Sequence, residues 1–145
     1  MSEEQEQINF FSETDFSLKN EASHREWLQR VVESEEKEIE EINFVFCDDE
    51  YLHKINLQYL DHDTFTDIIS FDNSVDDQLA GDIFISIERV KENSLDFDVS
   101  FDEELRRVLV HGVLHFCGYR DKSESESQLM RQKEDEKIAM FHVEQ

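Results

Sequence analysis

The chain has 145 residues, 38% of them hydrophobic and twelve of them Phe, which fits one domain with its own core. Its net charge of −23 argues against a large nucleic-acid surface, because phosphate binding draws on Lys and Arg. With only three Gly it has no glycine-rich phosphate loop, which excludes P-loop, kinase and Rossmann sites, and it has no apolar run of the ~18 residues that a membrane span needs.

Hydrophobic periodicity and capping residues predict four strands and five helices. In chain order we expect a strand over 8–11, a helix over 21–37, a strand over 41–47, a helix over 49–60, strands over 67–71 and 79–86, and helices over 86–93, 101–116 and from 124 onward. The third and fourth strands form a predicted hairpin. The pattern predicts a single α+β domain over 1–145, with a small mixed sheet of about four strands and helices packed against it. Residues 1–7 are expected to be a flexible N-terminus.

The expected compartment is the cytoplasm. Cys47 and Cys117 form neither a CxxC pattern nor a disulfide framework. The opening MSEEQEQ lacks the basic and apolar segments of a secretory signal. His24, near the first helix, is expected at the surface, and the oligomeric state is left open.

A candidate metal site lies where the fourth predicted helix ends. His111 and His115 are four residues apart, so they lie on one helix face with Cβ atoms about 5–6 Å apart and can bind one divalent ion. Gly118 favours the left-handed conformation that ends a helix, which allows the chain to bring Asp121 to the same ion. Three protein ligands would leave a fourth position open to water, as in catalytic zinc sites.

A simpler interpretation is a core helix. In it, both His are satisfied by hydrogen bonds, and Gly118 and Asp121 serve only as cap and turn. Gly112 favours the metal site, because a helix-interior Gly costs about 0.8–1.0 kcal/mol relative to Ala and usually means that something packs against the bare backbone.

The segment 111–121, read as HGVLHFCGYRD, resembles the HGxLHxxGYDH signature of the YbeY family. Upstream, Asn56, the pair Tyr59-Leu60 and the FTDIISF run at 65–71 are similar to that family's pattern of an Asn, a Tyr-Arg pair and a PTDVLSF-like strand. AGDI at 80–83 is similar to its GD-containing strand. The resemblance extends from about residue 42 to residue 141.

Two positions depart from the family pattern. Asp121 stands where the family usually has a third His, and Asp is itself a legitimate zinc ligand. Leu60 stands where the family usually has an Arg thought to engage substrate. Half of all Lys and Arg lie in the last third of the chain, so other side chains are candidates to replace that charge or to contact substrate. They are Arg120, Lys122, His62 and Arg106, with Arg107 nearby; the alternative is that these are ordinary solvated side chains.

The resemblance implies a metal-dependent endoribonuclease specific for single strands. It would act in ribosomal RNA processing, including maturation of the 16S rRNA 3′ end, and in ribosome quality control. The implied cofactor is one Zn²⁺ per chain, with His111, His115 and Asp121 as metal ligands and catalytic residues. The implied partners are single-stranded RNA, rRNA, and the small ribosomal subunit with its basic proteins, and no membrane.

Two other functions remain open. A non-catalytic ribosome assembly or docking factor with a structural metal would suit the acidic charge and the missing Arg at Leu60. A zinc peptidase is less favoured, because HExxH peptidases use the Glu beside the first His as general base and this chain has Gly112 there.

Overall fold

The computed structural model describes residues 7–62 and 66–143, so the expected flexibility of 1–7 falls almost wholly outside the described residues. The described part holds four strands and five helices. They are β1 Ile8–Ser12, α1 Glu21–Ser34, β2 Glu38–Cys47, α2 Asp49–Leu60, β3 Ile68–Asp72, β4 Gln78–Ser86, α3 Ile87–Asp96, α4 Phe101–Phe116 and α5 Glu124–Val143. None of these helices has the length and apolar character that crossing a membrane requires.

The four strands form one mixed sheet in the order β1-β2-β4-β3. β1, β2 and β4 run parallel, and β3 pairs antiparallel with β4 as the predicted hairpin. One face of the sheet packs in the main core with α1, α4 and α5, and the other face meets α2 through a smaller cluster around Leu52. The predicted α+β fold with a small mixed sheet is confirmed.

α4 lies against the sheet along its apolar side. The Ser100 hydroxyl accepts a hydrogen bond from the Glu103 backbone N–H at 3.0 Å and so caps its first turn. At Gly112 a Cβ would lie 2.9 Å from Ile83 Cδ1 and 3.2 Å from Ile68 Cδ1. The missing side chain therefore lets α4 approach the strands, which explains the helix-interior glycine.

Several boundaries differ from the prediction by one to three residues; α3, for example, ends at Asp96 rather than at 93. α1 ends at Ser34 rather than at Lys37, because Glu36 is left-handed (φ 61°) and the Lys37 N–H bonds back to the Val32 carbonyl. β2 begins at Glu38 rather than at Glu41, since its first residues pair with β4 across a bulge at residue 40. Sequence alternation is lost at a bulge, so periodicity finds only the regular part of the strand.

The prediction that His24 lies at the surface is wrong. Its side chain is buried, its Nδ1 lies 2.9 Å from the Asn20 carbonyl oxygen, and its ring centre is 5.1 Å from that of Phe141. α5 packs over α1 and covers this position. Burial disfavours the imidazolium and lowers the pKa of His24 despite the backbone hydrogen bond.

Candidate metal centre

His111 and His115 lie one turn apart on the side of α4 that faces a cavity. Their Nε2 atoms are 3.1 Å apart. α4 ends at Phe116, and Gly118 takes the left-handed conformation with φ 108°. The chain then turns back before α5, and Asp121 Oδ2 lies 3.4 Å from His111 Nε2 and 3.6 Å from His115 Nε2. The three side chains named by the sequence are thus brought together.

The triangle of these three atoms has the size that a tetrahedral ion requires. Metal–ligand bonds of ~2.0–2.1 Å imply distances of about 3.3–3.4 Å between neighbouring ligand atoms. The three measured edges of 3.1, 3.4 and 3.6 Å bracket that value. The side chains are 21%, 32% and 38% exposed, which leaves one side of the triangle open to water or substrate. The residues therefore fit a zinc ion.

The other nitrogen of each imidazole is already engaged by a hydrogen-bond acceptor. His111 Nδ1 lies 2.6 Å from Glu134 Oε2, and His115 Nδ1 lies 2.9 Å from the Tyr119 carbonyl oxygen. Both Nδ1 atoms must carry the proton, because neither partner can donate one. Two lone pairs and a carboxylate oxygen then face one another, and such a cluster is stable only with a cation or a shared proton between its members. A cation between these atoms would satisfy all three without an additional proton, which favours the metal site over the simple core-helix interpretation.

Glu134 is the residue at this site that the sequence interpretation missed. It lies on α5, is only 8% exposed, and its second oxygen accepts a hydrogen bond from Arg107 Nη1 at 2.9 Å. Arg107 Nη2 also bonds Asp135 at 2.7 Å. A signal was present, because Glu134 lies between Met130 and Ile138 on the buried stripe of α5, where an acid is almost always paired.

Electrostatics around His111 follow from these contacts. Burial disfavours the imidazolium, but the hydrogen bond and charge of Glu134, together with Asp121 and Asp67, outweigh it and raise the pKa of His111. Burial raises the pKa of Asp67, which lines the same cavity. The centre is therefore surrounded by carboxylates, which favours a bound cation.

The chain matches one known family over nearly its full length. The sequence profile described as Endoribonuclease YbeY matches residues 6–142. The Endoribonuclease YbeY of Flavobacterium johnsoniae is 65% identical over 138 residues, which are 95% of this chain and 99% of that protein. That of Christiangramia forsetii is 63% identical over 142 residues, which are 98% and 99% of the two chains. The chain belongs to the YbeY family.

A solved structure supports the fold of this YbeY-family chain. The solution structure of TM1509 from Thermotoga maritima superposes with a TM-score of 0.69 and 24% sequence identity, over 94% of this chain and 90% of that one. At this identity the likeness shows the fold alone. The predicted family resemblance is confirmed by the sequence matches, and the predicted architecture is confirmed by the sheet and helices described above.

The cavity beside the three ligands has a volume of about 1000 Å³. The predicted substrate residues Arg120, Lys122 and His62 all line it, and all three are exposed. Leu60, which replaces the Arg of the YbeY pattern, also lines it and is 40% exposed. The departure at Leu60 thus lies on the cavity wall itself.

The other two arginines have different surroundings. Arg106 does not line the cavity, since its guanidinium carbon lies 4.4 Å from the ring centre of Phe141 on another side of α4. The prediction that it could replace the missing Arg is not supported by its position. Arg107 does line the cavity, but it is held by Glu134 and Asp135.

A network of side chains holds the segment between α4 and α5. The Tyr119 hydroxyl donates a hydrogen bond to Glu35 Oε1 at 2.8 Å, and Lys137 Nζ lies 2.9 Å from Glu35 Oε2. Burial alone would raise the pKa of Glu35, but the hydrogen bonds from Lys137 and Tyr119 lower it. Lys137 is 2% exposed. The network connects α1, α5 and the loop whose Tyr119 carbonyl orients His115.

Proposed function

We propose that this chain is a metal-dependent endoribonuclease that cleaves single-stranded RNA. The observation that carries the proposal is the triangle of His111, His115 and Asp121, whose three acceptor atoms converge beside an open cavity. The family supports the reaction class, since its relatives are named endoribonucleases. A cavity on one face of a small domain admits an unpaired strand with splayed bases more readily than a stiff duplex.

The proposed roles of the residues follow from their places. His111, His115 and Asp121 would hold the ion, and Glu134 and the Tyr119 carbonyl would keep the two rings in position. When bound, such an ion polarises a phosphoryl oxygen and lowers the pKa of water toward ~7. Two imidazoles and one carboxylate are a donor set that suits zinc, so we propose one Zn²⁺ per chain.

Phosphate contacts are proposed for three exposed side chains that line the cavity. Arg120 and Lys122 flank Asp121 and extend toward solvent, and His62 lies at the end of α2. The positive charges of Arg120 and Lys122 would offset part of the charge of the RNA backbone, which the net charge of −23 otherwise repels. A chain that binds RNA through so few basic residues should show a shallow dependence of affinity on salt.

We further propose that the natural substrate is ribosomal RNA. By resemblance, the chain would act on the 3′ end of 16S rRNA and in ribosome quality control, in the cytoplasm, with residues 1–145 acting as one unit. The acidic surface would suit contact with basic proteins of the small ribosomal subunit. Association can be measured by co-sedimentation with purified small subunits at two salt concentrations.

The direct test is cleavage of a labelled single-stranded RNA by the purified protein. We expect cleavage that is abolished by chelator, restored by added Zn²⁺, and lost in His111→Ala and Asp121→Ala. Glu124→Gln, an exposed substitution at the start of α5, is a matched control and should cleave normally. Undiminished cleavage in chelator and in both ligand variants would refute the proposal.

One observation favours the alternative of a non-catalytic ribosome assembly factor. Leu60 places an uncharged side chain on the cavity wall where the family pattern has Arg, and phosphoryl transfer usually needs such a charge. A Leu60→Arg variant distinguishes the two functions. Cleavage found only in the variant would support the assembly factor, whereas cleavage by the original chain supports the nuclease. The zinc peptidase is not favoured, because Gly112 packs against Ile83 and leaves no room for a general base.

A further inference from the structure

Glu104 is a buried carboxylate that the proposed reaction does not use. It lies in the first turn of α4, is only 4% exposed, and lines the same cavity as the metal ligands. Within 7–62 and 66–141, where side chains are described, no hydrogen bond or ion pair reaches its carboxyl group, and the charges of Arg107 and Arg131 act on it from a greater distance. Arg106 Nε is the one fully buried side-chain polar atom of the described residues that lacks a hydrogen-bond partner, so the Glu104 oxygens are reached from the cavity and can accept hydrogen bonds from a ligand there.

The cavity around Glu104 is lined by an exposed aromatic ring, by acceptor atoms, and by the guanidinium groups of Arg107 and Arg131. Phe97, which follows α3 and precedes α4 by four residues, lines the same cavity as Glu104 and is 56% exposed. Asn93 also lines it, and its amide nitrogen donates to Asp67 at 3.2 Å, which leaves its carbonyl oxygen as an acceptor. Arg107 is held by Glu134 and Asp135. Besides the exposed Arg131, the cavity therefore offers an aromatic face and acceptor atoms.

A nucleobase has the complementary chemistry. Its flat face stacks on an exposed aromatic ring, and its edge carries N–H groups. Guanine presents two adjacent donors, N1–H and N2–H, in one plane, which match the two oxygens of a carboxylate. Adenine and cytosine each present one amino group, and uracil presents one N–H, so none of them satisfies both oxygens.

The position of Glu104 relative to the metal ligands is consistent with a strand that passes along α4. Glu104 precedes His111 by seven residues, which is two helical turns on the same face and about 10 Å along the axis. That distance corresponds to roughly one or two nucleotides of an unstacked strand. A phosphate at the metal centre would thus place a neighbouring base near Glu104 and Phe97.

We propose that Glu104 and Phe97 form a base subsite that selects a guanine one or two nucleotides from the scissile phosphate. The inference rests on the proposed nuclease function and adds the sequence preference of that site. Burial raises the pKa of Glu104, and the two N–H donors of guanine would favour its ionised form again. Phe97 would supply stacking that does not depend on the base, and Glu104 would supply the selection.

The test is cleavage of a random-sequence single-stranded RNA pool, followed by sequencing of the fragment ends. We expect guanine to be enriched about tenfold at one fixed position. Glu104→Gln, which replaces one acceptor oxygen by a donor, should reduce the enrichment below about twofold while zinc content and thermal stability stay unchanged. Asp102→Asn, an exposed acid in the same helical turn, is the matched control and should keep the preference.

Two further arms separate selection from stacking. Phe97→Ala should raise KM for every sequence by about fivefold or more while keeping the guanine enrichment, because stacking is tolerant of sequence. Replacing the selected guanine by inosine, which lacks the N2 amino group, should slow cleavage by the original chain but not by Glu104→Gln. The comparison of guanine with inosine on the original chain does not depend on whether any variant folds.

The outcomes also separate this inference from the proposed function. RNA cleavage without base preference, or with a preference that persists in Glu104→Gln, would overturn the subsite and leave the nuclease standing. A chain that neither binds nor cleaves RNA would overturn both.

Discussion

The two histidines of the metal centre both lie on α4 but are oriented by different parts of the chain. We call His111 with its support from helix α5 the helix half, and His115 with its support from the following loop the loop half. In the helix half, His111 is oriented by Glu134, a buried side chain from α5 that is itself held by Arg107. In the loop half, His115 is oriented by the backbone carbonyl of Tyr119. A single substitution can remove the first support, whereas the second depends on the path of the chain. The helix half should therefore be more sensitive to point mutation beyond the ligands themselves.

The largest losses of zinc affinity are expected when one of the three metal ligands is replaced. His111→Ala, His115→Ala and Asp121→Ala should each weaken Zn²⁺ binding by about 10²- to 10³-fold, since each removes one of three protein bonds. Asp121→His should retain tight binding, because it restores the residue that the family pattern usually has there. Competitive titration against a chromophoric chelator measures these affinities. Zinc affinities of the three Ala variants equal to that of the original chain would show that the ion binds elsewhere.

A smaller loss is expected when the support of the helix half is removed. Glu134→Gln keeps the size of the side chain but loses the charge that orients His111, and we expect zinc affinity to fall by about 10- to 100-fold. Asp135→Asn removes the other, exposed partner of Arg107 and should change zinc affinity less than about threefold. Equal effects of the two variants would mean that Glu134 acts only through Arg107.

The loop half should tolerate the corresponding substitution. Tyr119→Phe removes the hydroxyl that bonds Glu35 but keeps the ring and the carbonyl that orients His115. We expect a loss of about 1 kcal/mol in the free energy of unfolding. Zinc affinity should fall less than about threefold. Urea denaturation and the same zinc titration measure both quantities, and a loss of zinc affinity as large as that of Glu134→Gln would contradict the distinction between the halves.

The smallest effect is expected at His24, whose ring packs against those of Trp27 and Phe141. Burial lowers the pKa of His24 in the folded chain below the ordinary value of 6.5. The unfolded chain therefore binds a proton first as the pH falls, and stability is lost from about pH 6.5 down to the lowered pKa. His24→Gln should flatten this part of the stability curve, measured by urea denaturation in chelator between pH 7.5 and 5.5. An unchanged slope would show that other groups cause the loss.

Sequence patterns identified the parts of the site that are close along the chain. His111 and His115 share a helix, Gly118 ends it, and Asp121 follows within one turn of loop, so spacing alone brings them together. Glu134 supports His111 from 23 residues away on another helix, and only the packing of α5 on α4 brings it there. His24 was misjudged for a similar reason, because Phe141 covers it from the far end of the chain.

The charged residues on the buried face of α5 are a sequence signal that could have predicted additional ion pairs. Glu134 and Lys137 lie on the helix face that is otherwise apolar, and both are buried in ion pairs. Charged residues on a buried stripe predict that each has a partner, but not which residue that partner is. The partner depends on how two helices pack, and the sequence of neither helix predicts that geometry. Glu104 gave the same kind of signal in α4.

The most direct test is a crystal structure of the zinc-loaded protein with the ion located by anomalous scattering. We predict one zinc bound by His111 Nε2, His115 Nε2 and an Asp121 carboxylate oxygen at ~2.0–2.1 Å, with the fourth position open to the cavity. A zinc that binds at other residues, or imidazole rings turned so that Nδ1 rather than Nε2 faces Asp121, would contradict the account.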